Sequence, residues 1–201
     1  MPTLLAIDTC STKCKVALLQ QGSVSFRKGN ELQKAAQHVL VLIDNLLAEA
    51  GLVYNQLDAL AVVTGPGSFT GVRIGVAIAQ GLSLSSSTPV VPISSLAILA
   101  SAASQKFDGD LFLSCMKARE NEVYFGVYQR TGDDVILVGS EQVNAAGAIS
   151  SSILAGRLLE KNISTGLLIN DQKIFFAKYE LSNDILGFFR ENKGPPSLLL
   201  E

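Results

Sequence analysis

The 201 residues are 48% hydrophobic and only 17% charged, with a formal net charge of −2 and a pI of about 5.5. That balance excludes a basic field able to hold a nucleic acid by neutralising its phosphates, so any role on RNA is expected to run through another protein. A charged fraction below the usual ~25% fits either a surface partly covered by a partner or a densely packed monomer, and composition does not separate the two.

Met1-Pro2-Thr3 has no basic n-region, and the apolar run that follows stops at Asp8, so no secretory leader is expected. The stretch from Ile74 to Gln105 is uncharged. It is broken by Ser85-Ser86-Ser87-Thr88-Pro89 and by Pro92, short of the ~20 apolar residues of a membrane span. Three cysteines, Cys10, Cys14 and Cys115, read as reduced thiols of a cytoplasmic protein. His38 is the only histidine. Neither a metal site nor a histidine-based catalytic set is expected.

In chain order, short apolar runs predict strands at Leu4–Ile7, Val16–Leu19 and Ser23–Arg27, the last two joined by a turn at Gln21-Gly22. A helix is predicted over 33–50, stopped by Gly51, then a strand over 60–64 broken by Gly65-Pro66-Gly67. A second helix over 70–84, a strand over 90–93 and a helix from the Ser94 cap to Ala103 complete the first half. Strands at Leu111–Cys115, Val123–Tyr128 and Val135–Val138 restart the order. A helix over 145–159, a strand over 167–169 and a last helix within 179–191 follow. The strand-strand-strand-helix-strand-helix order thus occurs twice, which predicts two α/β lobes, 1–105 and 106–201, of actin/hexokinase-like (ribonuclease-H-like) design, each a mixed sheet flanked by helices.

Two segments bear on function. Asp8-Thr9-Cys10-Ser11 ends the first strand, and a carboxylate with hydroxyls in a hairpin turn suits a phosphate and its metal ion. Equally, these residue types simply make good turns. Asp8, Thr9 and Ser11 are therefore candidates for a vestigial phosphate loop. In Gly65-Pro66-Gly67-Ser68-Phe69-Thr70-Gly71-Val72-Arg73-Ile74-Gly75, glycines placed between a strand and a helix allow either an anion at the helix N-terminus or close packing of helix on sheet. The segment lacks the Lys-Ser/Thr pair of a P-loop and the spacing of a dinucleotide fingerprint.

This eleven-residue segment closely resembles the GPGSFTGxRIG loop of the TsaB (YeaZ) family. Ile7-Asp8-Thr9, Glu49-Ala50-Gly51-Leu52, Ala61-Val62-Val63-Thr64, Ser94-Ser95-Leu96 and Glu122-Val123-Tyr124 are similar to that family as well. The likeness is strong over 4–100 and thin beyond. It departs at Lys117-Ala118-Arg119, where relatives read Asp-Ala-Arg, and at Pro196-Ser197-Leu198-Leu199-Leu200, where they read Pro-x-Tyr-Leu-Arg. The resemblance implies the actin/hexokinase-like fold and a non-catalytic, cofactor-free subunit. Such a subunit docks TsaD-like and TsaE-like proteins in forming threonylcarbamoyladenosine at position 37 of tRNA, touches tRNA only through that complex, and forms a homodimer when alone.

Helical geometry suggests where the docking occurs. At 100° per residue, Val39, Leu40, Leu42, Ile43, Leu46, Leu47 and Ala50 fill an arc of roughly 160°, wider than one packing surface needs, and Val41 is apolar on the other side. The second helix is apolar nearly all round and carries Gly71, Gly75 and Ala79 at four-residue steps. Either these faces fill a crowded core of the chain itself or, as the resemblance implies, the two helices pair with the equivalent two of a TsaD-like protein or of a second copy. On the second reading the expected partner interface is Val39, Ile43, Leu46, Leu47, Gly71, Arg73, Gly75 and Ala79. Two rivals are weaker. An actin-like metabolite kinase needs a second phosphate turn, where this chain has Met116-Lys117-Ala118-Arg119, and a glycine turn for adenosine, where it has Asn170-Asp171. A metallopeptidase needs more than the lone His38.

Overall fold

A computed structural model of the chain describes residues 1–11, 13–29, 35–119 and 122–145. The helix expected over 145–159, the strand over 167–169, the helix within 179–191 and the Pro196–Leu200 stretch lie outside the described residues, apart from Ala145 itself. Packing groups Met1–Ile98 into one unit and begins a second at Leu99.

The first unit is built on β1 (Leu4–Asp8), β2 (Lys15–Gln20), β3 (Ser23–Lys28), β4 (Ala59–Val63) and β5 (Val90–Ile93), in the order β3-β2-β1-β4-β5. The first three form an antiparallel meander, and β4 and β5 run parallel to β1. Gln21 and Gly22 both have positive φ, 53° and 81°, the conformation whose twist matches a two-residue hairpin. Parallel strands need crossovers, and α1 (Ala35–Glu49) and α2 (Phe69–Ser86) supply them. Gly51, at φ 67°, takes the left-handed position after α1, and Leu52 N–H closes the helix end on Leu47 C=O at 2.9 Å.

The two faces of this sheet differ in side-chain size. Leu5, Ile7, Val16, Leu18, Leu60 and Val62 pack against Val39, Ile43, Leu46 and Leu47 of α1 and Ala79 of α2. The opposite face is lined by Ala6, Ala17, Ala61 and Val63, with Ile98 of α3 (Ser95–Lys106) upon it.

In the second unit β6 (Leu111–Lys117), β7 (Glu122–Thr131) and β8 (Asp134–Ala145) form an antiparallel meander. Strands β7 and β8 extend well beyond the predicted 123–128 and 135–138. The sequence Gly139-Ser140-Glu141 has no apolar alternation to announce a strand and falls in the register shift between Phe125 and Val127, after which pairing with β7 resumes at Gln142. Phe112, Cys115, Phe125, Val127, Tyr128 and Val138 are buried. Within this unit Arg130 holds the end of α3 and the connection after it. Its Nε donates to Gly109 C=O at 3.0 Å, its Nη2 donates to the carbonyls of Ser104 and Phe107, and its guanidinium carbon lies 5.4 Å from the Phe112 ring centre.

Candidate functional site

Asp8 ends β1 opposite Lys15 of β2, on the small-residue face. Its side chain is wholly buried. Oδ1 accepts the Cys10 N–H at 2.7 Å, and Oδ2 has no hydrogen-bond partner among the described residues. Burial pushes the carboxyl up to about 6, against the opposing pull of the Cys10 N–H and the Lys15 ammonium. Thr9 is also fully buried, and its hydroxyl donates to Gly71 C=O at 2.5 Å. Cys10 Sγ lies 3.1 Å from Val63 C=O, and burial, with the charge of Asp8 adding, pushes its thiol up to about 12. Burial does the same to Cys115 and raises Cys14, so all three thiols stay protonated at neutral pH. Ser11, half-buried, donates to Lys13 C=O at 3.0 Å.

The glycine segment is the counterpart of this turn. Ser68 caps α2, its hydroxyl accepting Gly71 N–H at 3.2 Å, while its own N–H donates to Cys10 C=O at 2.8 Å. A Cβ on Gly67 would stand 2.6 Å from Cys10 O, one on Gly71 1.9 Å from Thr9 O, and one on Gly75 2.4 Å from Thr9 Oγ1. Of the two roles open to these glycines, close packing is the one the geometry uses. The turn and the loop satisfy one another. Asp8 and Thr9, candidates for a phosphate loop, are enclosed side chains, and only Ser11 retains exposure.

The expected partner interface needs correction on the same grounds. Val39, Ile43, Leu46 and Leu47 are at most 3% exposed and form the chain's own core. Gly71, Gly75 and Ala79 face Thr9 and the sheet, because the residue without a side chain belongs where a helix comes closest to another backbone. Of the eight, Arg73 alone stands on the outer surface.

That outer surface has its own pattern. On α2, Phe69 is 70% and Leu84 88% exposed, and Arg73, Ala77 and Gln80 between them are exposed too. Helical spacing puts these five on one strip roughly 80° wide. The Arg73 guanidinium covers the Phe69 ring at 3.7 Å. Helix α1 packs beside α2 and exposes Leu40, Val41, Asn45, Ala48 and Asp44, whose carboxylate accepts the Tyr54 hydroxyl at 2.5 Å. Sequence reasoning missed Phe69, Leu84 and Leu40 as surface residues. The available signal was the glycine line itself, which fixes the inner side of α2 and hence the outer one.

Among the described residues, no group of three or more His, Cys, Asp or Glu side chains stands together, and no helix is long and apolar enough to cross a membrane. His38 is half-buried on α1, and Lys117 and Arg119 are exposed at the β6–β7 turn.

Comparison with known proteins places this architecture. The family model described as TsaD, tRNA N6-adenosine threonylcarbamoyltransferase, matches residues 32–185. The tRNA threonylcarbamoyladenosine biosynthesis protein TsaB of Haemophilus influenzae is 46% identical over 123 residues, 61% of this chain and 52% of that protein. Its Escherichia coli namesake is 39% identical over 127 residues, 63% of this chain and 55% of that one. The chain therefore spans about half the length of the curated relatives it matches. The solved structure of YeaZ from Pseudomonas aeruginosa superposes with a TM-score of 0.68 at 39% identity, covering 75% of this chain and 70% of that one. In sequence and in fold, the chain belongs to the TsaB (YeaZ) family.

Proposed function

We propose that this chain is the non-catalytic docking subunit in formation of threonylcarbamoyladenosine at position 37 of tRNA. In this reading it binds a TsaD-like transferase, on which a TsaE-like ATPase acts, and it meets tRNA only through that complex in the cytoplasm. The observation that carries the reading is the pair α1 and α2 with large apolar side chains exposed on their outer side, beside the enclosed Asp8–Thr9 turn. Leu40, Val41, Phe69 and Leu84 offer a surface for another pair of helices. Asp8 and Thr9, which an actin-like kinase would present to nucleotide, are enclosed. The names of the relatives supply the pathway. Without its partner, the same strip is expected to hold a second copy of the chain.

The test is co-purification of the full chain with the TsaD protein of the same organism, with and without tRNA and ATP. Retention of TsaD, together with loss of the modified nucleoside from cellular tRNA when this chain is depleted, is the expected result. Turnover of the modification at normal levels without this chain would overturn the proposal.

A further inference from the structure

The β1–β2 turn and the first turn of α2 are joined by a continuous run of contacts. The Asp8 carboxylate accepts Cys10 N–H, Cys10 C=O accepts Ser68 N–H, and the Ser68 hydroxyl caps Gly71 N–H. In parallel the Thr9 hydroxyl holds Gly71 C=O. The missing side chains of Gly67 and Gly71 bring the two backbones together, so neither segment can shift without the other. One residue beyond Ser68 stands Phe69, with Arg73 stacked upon it.

We propose that Asp8 is a positioning residue for the docking strip: its carboxylate fixes the Thr9–Ser11 turn, and that turn fixes the part of α2 that presents Phe69 and Arg73. The inference rests on the docking reading above. Asp8 lies inside the fold and touches no partner, so it acts only through the turn. A carboxylate accepts an N–H about twice as strongly as a neutral acceptor does, so the hold depends on Asp8 being ionised. The ionisable groups that act on it are Lys15 from β2 and the Cys10 thiol in the turn, and Cys14 in turn feels its charge. Lys15 favours the ionised form, and burial opposes it.

The experiment compares partner binding by the full-length wild type and by Asp8→Asn, Phe69→Ala and Arg73→Ala variants at about pH 5 and about pH 7, on either side of the Asp8 value of about 6. Asparagine keeps an acceptor for Cys10 N–H and cannot titrate. The expected result is that wild-type affinity falls about fivefold more than that of Asp8→Asn on acidification, the shared ratio cancelling any titration in the partner. Amide hydrogen exchange on the unmodified protein supplies the second readout, so the test survives if Asp8→Asn fails to fold. Protection at Cys10, Ser68 and Gly71 is expected to drop at the lower pH while protection in the middle of α1 does not. Identical pH profiles for wild type and Asp8→Asn, or unchanged protection at those amides, would overturn the inference. If Phe69→Ala and Arg73→Ala still weaken binding in that case, the docking reading stands. If both bind like wild type, the docking reading falls and takes the positioning role with it.

Discussion

The inner and outer lines of α2 differ by half a turn in position and by everything in chemistry. Gly71, Gly75 and Ala79 run along the inside, against Thr9 and Val62. Phe69, Arg73, Ala77, Gln80 and Leu84 run along the outside. Both lines look like interface material in a sequence, one because small residues let a helix approach closely, the other because large apolar residues bind. The difference teaches that small residues mark the closest backbone approach, which here is to the chain's own turn. In the docking reading proposed above, a strip of exposed aromatic, cationic and aliphatic residues is what remains for a partner.

Substitutions can break that distinction. The largest effect is expected on the inside. Gly71→Ala places a carbon against a backbone carbonyl that has nowhere to go, and Gly75→Leu with Ala79→Leu drives bulk into Thr9 and the sheet. Over-packing costs ~1–3 kcal/mol and occasionally more. The double variant is expected to unfold, and Gly71→Ala to lose about 3 kcal/mol in urea titration. Wild-type stability for Gly71→Ala would show that α2 does not lie on Thr9 as described. An intermediate effect is expected outside. Phe69→Ala and Leu84→Ala should leave the urea midpoint nearly unchanged, since exposed side chains away from special features contribute within about 0.5 kcal/mol. Each should cost about 2 kcal/mol of partner affinity by titration calorimetry if it is a buried anchor of the complex. The smallest effect sharpens the comparison within one residue type. Gly81 sits on the outer side, and a Cβ there meets nothing within 4 Å. Gly81→Ala should therefore stabilise the isolated chain by about 0.5–1 kcal/mol, the ordinary helix preference for alanine. A loss of stability would mean that α2 has a neighbour on that side even in the free chain.

Much of the first unit was legible. The short apolar runs of β1 and β2, the Gln21-Gly22 turn, the Gly51 stop and the Ser68-to-Gly75 segment each carry a local reason for their conformation, and the elements stand where those reasons put them. Asp8 and Thr9 were legible as a turn, but their burial was not. Burial depends on a segment some sixty residues away arriving without side chains at Gly67 and Gly71, a tertiary fact that neither segment encodes alone. The eight interface residues show the same limit. The apolar arc of α1 marks a helix that packs on the sheet, but an arc wider than one packing surface does not say which of its edges faces that sheet. In the second unit, β8 outran its prediction because cross-strand pairing, not hydrophobic alternation, sustains its last residues.

Arg130 has a bearing on how the chain survives in a cell. The connection Phe107-Asp108-Gly109-Asp110 is partly exposed and rich in the small and acidic residues of a loop tip, the kind of site where proteases nick folded proteins. Cleavage requires the segment to peel away and straighten in the enzyme's groove. One guanidinium grips the carbonyls of Ser104, Phe107 and Gly109 at once, so that peeling must break all three bonds and uncover the Phe112 ring beneath. A lysine could reach one or two of these oxygens but has no planar fork to span them. Resistance of this connection to digestion thus draws on a side chain of β7, more than twenty residues away along the chain, beside the backbone bonds from Phe107 N–H to Ala103 C=O and from Arg130 N–H to Asp110 C=O.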